Sequence, residues 1–552
     1  MLTLEIFMSS NCSGLAPIQN RCAPTRDNRR ALAALLTVGV WLAAGAARAV
    51  TVYNPSVPAG NQKYILTPPA GPQPHINGAK VFGVRPGRPF LYTIAATGKR
   101  PMTFSATGLP VGLSLNSRTG RITGSLNAAE VGTHNVMLHA RNALGTATAK
   151  FRIVVGDTIC LTPPMGWNSW NCWAGRVNQA RVLAAAKAMV TTGLINYGWT
   201  YICIDDTWQG RRGGPLNAIQ PDLKRFPNMK ALCTDIHRLG LKAGIYSTPW
   251  TTSYADHVGE SSTNPRGLWH RPTVSKRGII NKDILPWGIG KYQFETNDAR
   301  QWAQWGFDYL KYDWNPIRYA QVRQMYEALK HSGRDIVFSL SNNAPYPGAS
   351  RWIPYANLWR ITGDSRDNWR NLLGHWQAGA KWGHLQRPGH WNDPDMMTIG
   401  WLGWGHRQHY THLTPNEQYL EVSGFALMGA PLILGNNLNR MGAFTMNLLT
   451  NTEVLAVDQD PMGVAGRPVL RQRSRQVWIK PLADGSLAVG LFNLGSRPAV
   501  VSASWRILAL RGPHMVRDLW RQKNIGTADG DFAAEVPPHG VVLVKMIPMN
   551  AR

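Results

Sequence analysis

The sequence predicts a multidomain chain in which a central (β/α)8 barrel stands between two all-β sandwiches. Three observations carry this reading. Strand-like and helix-like runs alternate through residues 162–463. Short strands without helical periodicity fill the stretches on either side. Acidic and basic residues recur where the apolar strand runs of the middle region end, at the end where a barrel places its pocket. A chain of 552 residues is long enough for a barrel and smaller partners.

The first 49 residues read as an export segment. Arg29-Arg30 precede an apolar run over residues 31–45, and Ala47-Arg48-Ala49 offers small residues around a cleavage point after Ala49. The paired arginines only weakly resemble a twin-arginine signal, and the long stretch before them fits a start codon assigned too early. The apolar run is too short to span a bilayer comfortably and no later segment is longer, so a mature periplasmic or extracellular protein without a membrane span is expected. Cys12 and Cys22 leave with this segment. Cys160, Cys172, Cys203 and Cys233 remain without a C-x-x-C pair, which signals neither a zinc site nor a dense disulfide framework and permits one or two bridges.

Residues 50–74 read as a linker and 75–157 as a β-sandwich. Phe90-Leu91-Tyr92-Thr93-Ile94 and Asn135-Val136-Met137-Leu138-His139-Ala140 alternate between Gly/Pro/Asn turns. Gly108-Leu109-Pro110-Val111-Gly112-Leu113-Ser114-Leu115, with Thr119-Gly120-Arg121-Ile122-Thr123-Gly124, resembles the immunoglobulin-like modules attached to bacterial secreted enzymes.

Residues 162–463 carry the barrel pattern. Met165-Gly166-Trp167, Tyr201-Ile202-Cys203-Ile204, Lys242-Ala243-Gly244-Ile245-Tyr246, Tyr309-Leu310-Lys311-Tyr312, Ile336-Val337-Phe338-Ser339-Leu340, Leu358-Trp359-Arg360-Ile361, Gly389-His390-Trp391-Asn392 and Pro431-Leu432-Ile433-Leu434 are the predicted strands. The clearest helix spans residues 178–195, where Val182, Ala185, Ala186, Met189 and Val190 share a face. A doubly wound open sheet is the alternative, and the Gly-rich phosphate fingerprint such sheets often carry is absent. Residues 464–552 return to short strands and predict a C-terminal sandwich packed on the barrel.

Composition narrows the partner. Apolar content of 44% is ordinary for a globular protein, whereas the 23 tryptophans are not, and many sit beside Gly, Asn or Asp in predicted loops where a flat face can stack on a sugar ring. The net charge of +28 raises nucleic acid as a partner. No Lys/Arg block, helix-turn-helix pattern or zinc-finger spacing concentrates that charge, so a dispersed basic surface and no nucleic acid are expected.

Two aspartates stand out as the chemistry. Asp313 closes Asp308-Tyr309-Leu310-Lys311-Tyr312-Asp313, and Asp364 closes Leu358-Trp359-Arg360-Ile361-Thr362-Gly363-Asp364. One carboxylate to attack carbon and one to move a proton is what glycoside cleavage needs. Lys311 shares a strand face with Asp313, which predicts an ionised nucleophile. Asp364, near Trp359, Ile361 and Trp369, is expected to be kept protonated by desolvation. Asp205-Asp206 offer paired acceptors for vicinal hydroxyls, and Asp393 with Asp395 add to the same rim. Each aspartate alone also reads as a cap or loop anchor; the series is harder to explain that way.

Pro163-Pro164-Met165-Gly166-Trp167-Asn168-Ser169-Trp170, Tyr201-Ile202-Cys203-Ile204-Asp205-Asp206, Gly240-Leu241-Lys242-Ala243-Gly244-Ile245-Tyr246-Ser247, the two aspartate motifs, Trp391-Asn392-Asp393-Pro394-Asp395-Met396 and Val454-Leu455-Ala456-Val457-Asp458-Gln459-Asp460-Pro461 resemble, in order, motifs of glycoside hydrolase family 27, the α-galactosidase (melibiase) family. The resemblance implies an exo-acting, retaining α-galactosidase with Asp313 as nucleophile and Asp364 as acid/base. It implies a sugar subsite lined by Trp167, Asp205, Asp206, Tyr246, Lys311, Arg360, Asp395 and Met396. It implies an α-galactoside oligosaccharide or polysaccharide as substrate and no cofactor or metal. β-L-arabinopyranosidase and a non-catalytic carbohydrate-binding protein are the alternatives.

The departures concern the sugar. Thr207 stands where many members have a cysteine, which removes the usual partner of Cys172. Trp314-Asn315-Pro316 and Leu340-Ser341-Asn342-Asn343-Ala344 also differ from the family pattern, the latter where the 2-substituent is usually recognised, and so does Ser247-Thr248-Pro249-Trp250. His406, His409 and His412 are spaced in a way that suggests a metal, but no acidic ligand accompanies them in sequence, and a loop or leaving-group contact is expected instead.

Overall fold

The computed structural model describes residues 51–267, apart from 56, 59, 61 and 62, and residues 287–549; the predicted export segment lies outside them. Eight parallel strands make the central sheet: β1 (Met165–Asn168), β2 (Tyr201–Cys203), β3 (Lys242–Ser247), β4 (Tyr309–Asp313), β5 (Val337–Ser341), β6 (Leu358–Arg360), β7 (Trp391–Asp393) and β8 (Leu432–Leu434). Neighbours pair in sequence and β8 pairs with β1. A parallel bridge from Met397, just past β7, to Leu434 closes the ring. The (β/α)8 barrel is the fold the alternating pattern predicts, and closure removes the open edges of the doubly wound alternative.

Helices between strands follow the apolar periodicity. Gln179–Thr191 buries Val182, Ala185, Ala186 and Met189, and Asn178 caps it by accepting from Arg181 N. It stops four residues short of the predicted end because Gly193 turns the chain into the left-handed region at φ 83°, starting a 3-10 turn over Leu194–Tyr197. Pro415–Met428 is buried on all sides, with a Thr414/Glu417 capping box. The C-terminal sandwich packs on it: Trp520 Nε1 donates to Ser423 Oγ at 2.8 Å and Lys480 Nζ to the Ala426 carbonyl at 3.2 Å.

That sandwich has a six-stranded sheet and a second, three-stranded one. The outer strand of the second sheet is Val52–Tyr53, pairing in parallel with Asp531–Val536. Tyr53 Oη donates to Asp518 Oδ2 at 2.8 Å, and the amides of Leu66 and Thr67 donate to Asn447 Oδ1. The stretch expected to be a linker is therefore tied, in its described residues, to the sandwich and the barrel.

The N-terminal module is a sandwich of a four-stranded and a three-stranded sheet around Phe90, Ile122, Leu138, Phe151 and Ile153. It touches the barrel where strands begin. Thr93 Oγ1 donates to the Gly240 carbonyl at 2.8 Å ahead of β3, and Arg85 pairs with Asp335 at 3.1 Å ahead of β5. The strand C-termini are left clear. All four cysteines in the described residues are free thiols, so neither permitted bridge is present.

Candidate active site

Parallel strands bring their C-terminal ends to one rim, and the predicted acids gather there. Asp205 and Asp206 follow β2, Tyr246 lies near the end of β3, Lys311 and Asp313 on β4, Arg360 ends β6, and Asp395 and Met396 follow β7. With Asp364 they line one cavity of about 180 Å³. Trp167 does not join them. Its ring is fully buried in the barrel core and its Nε1–H donates to the Asn436 carbonyl at 2.7 Å. Trp170, three residues on, leaves the strand for a one-turn helix and lines the cavity instead. Both tryptophans belong to one motif, and sequence alone did not separate the core ring from the rim ring.

Charges at the rim form a network of alternating sign. Lys311 Nζ is 2.7 Å from Asp205 Oδ2, so its direct partner is Asp205 rather than Asp313. Arg360 reaches Asp395 Oδ1 and Asp364 Oδ1, each at 3.1 Å, and donates to Ser341 Oγ at 3.2 Å. Asp395 sits at φ 81°, its Oδ2 accepting from Ser365 N at 2.8 Å; burial works to raise its pKa, but Arg360 and Lys311 hold it below the usual carboxylate value. Asp206 accepts from the amides of Thr207 and Ala255, while burial pushes its pKa up.

The environments of the two principal carboxylates are the reverse of those expected. Asp313 is the buried one. Burial pushes its pKa up to about 7, against the pull of Lys311 and Arg360. Its Oδ2 accepts from Tyr246 Oη at 3.2 Å, and its Oδ1 has no hydrogen-bond partner among the described residues. Asp364 has a 58% exposed side chain and an Arg360 partner, so it lacks the apolar enclosure expected of it. The aromatic neighbours that suggested desolvation are turned elsewhere: Trp359 is wholly buried, and Trp369 stacks on His539 at 4.0 Å.

Sequence reasoning missed part of the wall. Tyr254 and Asn342 both line the cavity and are joined by a 3.3 Å hydrogen bond from Asn342 Nδ2 to Tyr254 Oη. Asn342 and Asn343 have φ of 91° and 53°, conformations that asparagine tolerates better than most residues, which is a physical reason for the Asn-Asn pair after Ser341. Trp404 completes the rim with Arg366, whose guanidinium lies 5.4 Å from its ring centre. Thr207 adopts φ 82°, and Cys172 has Gln408 Nε2 within 3.3 Å of its sulfur. Trp314 is buried edge-on against Tyr312 and does not reach the cavity.

The histidine run gains the acid that its sequence lacks. Asp367 Oδ2 lies 3.0 Å from His409 Nε2 and 2.9 Å from His412 Nδ1.

Comparison with known proteins places these features. The family model described as alpha galactosidase A matches residues 162–263 and 285–460, and that of the alpha galactosidase C-terminal beta sandwich domain matches 472–546. An Ig-domain model matches residues 73–156. A Dictyostelium discoideum protein named "Probable alpha-galactosidase" is 34% identical over 426 residues, 75% of this chain and 98% of that one. A crystal structure from Bacteroides fragilis NCTC 9343 is similar with a TM-score of 0.75 at 31% identity, over 87% of this chain and 99% of that chain. A GH27 β-L-arabinopyranosidase from Geobacillus stearothermophilus is similar with a TM-score of 0.61 at 29% identity, over 71% of this chain and 98% of that chain.

Proposed function

We infer the reaction from one premise: the chain belongs to the α-galactosidase family, glycoside hydrolase family 27. It is a glycoside hydrolase, an α-galactosidase, that releases terminal α-D-galactosyl residues with retention at the anomeric carbon. The observation that carries the reading to residues is the contrast between Asp313 and Asp364 across one sugar-sized cavity: a buried acceptor with a free oxygen and an acid open to solvent.

In the mechanism we assign, Asp313 Oδ1 attacks the anomeric carbon while Asp364 gives its proton to the leaving oxygen. Water then attacks the galactosyl ester, with Asp364 taking its proton, and two inversions return the original configuration. Asp205, Asp206 and Lys311 hold hydroxyls. Arg360 steadies Asp364 and Asp395 together. Lys311 and Arg360 favour the ionised form of Asp313 that attack requires, against the burial that raises its pKa.

A cavity of about 180 Å³, the size of one sugar ring, suits an exo-acting enzyme with an α-galactoside oligosaccharide or polysaccharide as substrate. Asp313→Ala should abolish turnover with the fold intact, whereas Asp364→Ala should spare nitrophenyl substrates more than natural ones, since a good leaving group needs no proton. A panel of nitrophenyl α-galactoside, β-L-arabinopyranoside and α-N-acetylgalactosaminide, with the product anomer followed by NMR, tests the sugar. Faster cleavage of the arabinopyranoside would reassign it. An inverted first product would overturn the roles.

Among the described residues no helix is long and apolar enough to cross a membrane. Export with cleavage after Ala49 is supported by the Arg29-Arg30, apolar run and Ala47-Arg48-Ala49 sequence. N-terminal sequencing of protein recovered outside the cytoplasm checks it.

A further inference from the structure

Asp367 and the two histidines form a second cluster of metal-ligating groups, one that the hydrolytic reaction does not use. Asp367 follows Asp364 by three residues. His409 opens the short strand His409–Tyr410, which pairs with Trp401–Leu402 in a hairpin whose turn holds Trp404. His412 lies two residues beyond. One ligand atom from each of the three residues falls within 4.8 Å of the other two.

The spacing suits a small divalent ion. Tetrahedral bonds of about 2.0–2.1 Å to nitrogen and oxygen put ligand atoms roughly 3.3 Å apart. The two imidazole nitrogens stand 3.0 and 2.9 Å from Asp367 Oδ2, so a modest opening admits the ion. The carboxylate is already oriented, because the His412 amide donates to the same oxygen at 3.0 Å. Asp367 is 10% exposed and His412 70%, which gives a partly buried anion with an open side for water ligands. Ordinary histidine–carboxylate hydrogen bonds account for the two short distances. The two imidazoles, stacked at 4.6 Å, each turn a nitrogen to that one oxygen, so the three ligand atoms converge on one point.

We propose that Asp367, His409 and His412 bind one first-row divalent cation, for which Zn²⁺ is the best match, and that the ion staples the Asp364 loop to the hairpin carrying Trp404. Two imidazoles and a carboxylate suit zinc, with water completing the shell. The ion has no place in the sugar chemistry. It would set how firmly the acid/base loop and the Trp404 wall of the cavity are held together, since the Trp404 and His409 rings stack at 6.2 Å.

The test uses the full chain, stripped with chelator and titrated with ZnCl₂ alone by calorimetry, then with CoCl₂ while visible absorption is followed. One Zn²⁺ per chain and an intense Co²⁺ band of low coordination number are expected. His412→Ala, at an exposed position, should weaken Zn²⁺ binding about 10-fold or more and remove the Co²⁺ band, as should His409→Ala. Circular dichroism of the variants should match the parent. Absence of saturable Zn²⁺ uptake, or uptake unchanged in both variants, would overturn the proposal. Neither readout depends on activity, so the test stands apart from the assigned reaction.

Discussion

Replacing Asp313 by asparagine should stabilise the protein above neutral pH while abolishing turnover. The carboxyl is buried, and burial raises its pKa from 3.8 to about 7 even though Lys311 and Arg360 pull it down. For a raised carboxyl the native state holds the proton more tightly than the unfolded chain. The resulting stability is complete at low pH and is lost as pH rises from the unfolded value through the folded one. Each unit of difference corresponds to about 1.4 kcal/mol. Relative to a residue that does not titrate, the native enzyme should lose roughly 2–3 kcal/mol between pH 5 and pH 8. Asparagine keeps an acceptor for the Tyr246 hydroxyl, so the comparison isolates the charge. Urea unfolding of both proteins at each pH unit from 5 to 8 gives the difference directly, because every other titrating group is common to the two. A difference that stays flat, or that turns against the asparagine variant as pH rises, would refute the argument that the buried Asp313 carboxylate carries an electrostatic penalty.

The same group should appear in kinetics: kcat/KM should fall on the acid side with a midpoint at about 7, and Lys311→Met should move that limb to higher pH by removing a cation that favours the ionised form. Trp170→Ala should raise KM for α-galactosides with little change in unfolding midpoint. Trp167→Phe should instead leave KM near normal and cost about 1–3 kcal/mol by orphaning the Asn436 carbonyl, as unfolding curves will report. Arg212→Leu should cost about 3–5 kcal/mol, because it strips the partner, at 2.7 Å, from fully buried Asp298 and leaves an uncompensated charge.

The barrel was legible because period-2 and period-3.6 runs alternate and because most of the strand runs give way to a charged or polar residue. The rim was legible for the same reason: strand register places Asp313 and Arg360, and Asp395 comes two residues past a strand end. What stayed hidden depends on side-chain direction across distant loops. Nothing in the sequence says that Trp359 faces the core and leaves Asp364 in water, that Lys311 chooses Asp205 over Asp313, or that Tyr254 reaches Asn342. The histidine run is the clearest case, since its acid, Asp367, lies over forty residues away in the chain and belongs to the loop after another strand.

Val52 and Tyr53 pair with Ala533 and Ala534, so a strand made at the start of synthesis waits for nearly the whole protein before its partner exists. The entropic cost of closing so long a span is modest, about 0.6 kcal/mol for each doubling of length, but the contact is among the last that can form. The edge of the C-terminal sandwich is thus a seam that joins two stretches lying far apart in the chain. Trimming residues 51–55 or residues 531–549 should open the same seam, and either cut should loosen a domain that the other end of the chain helps to finish.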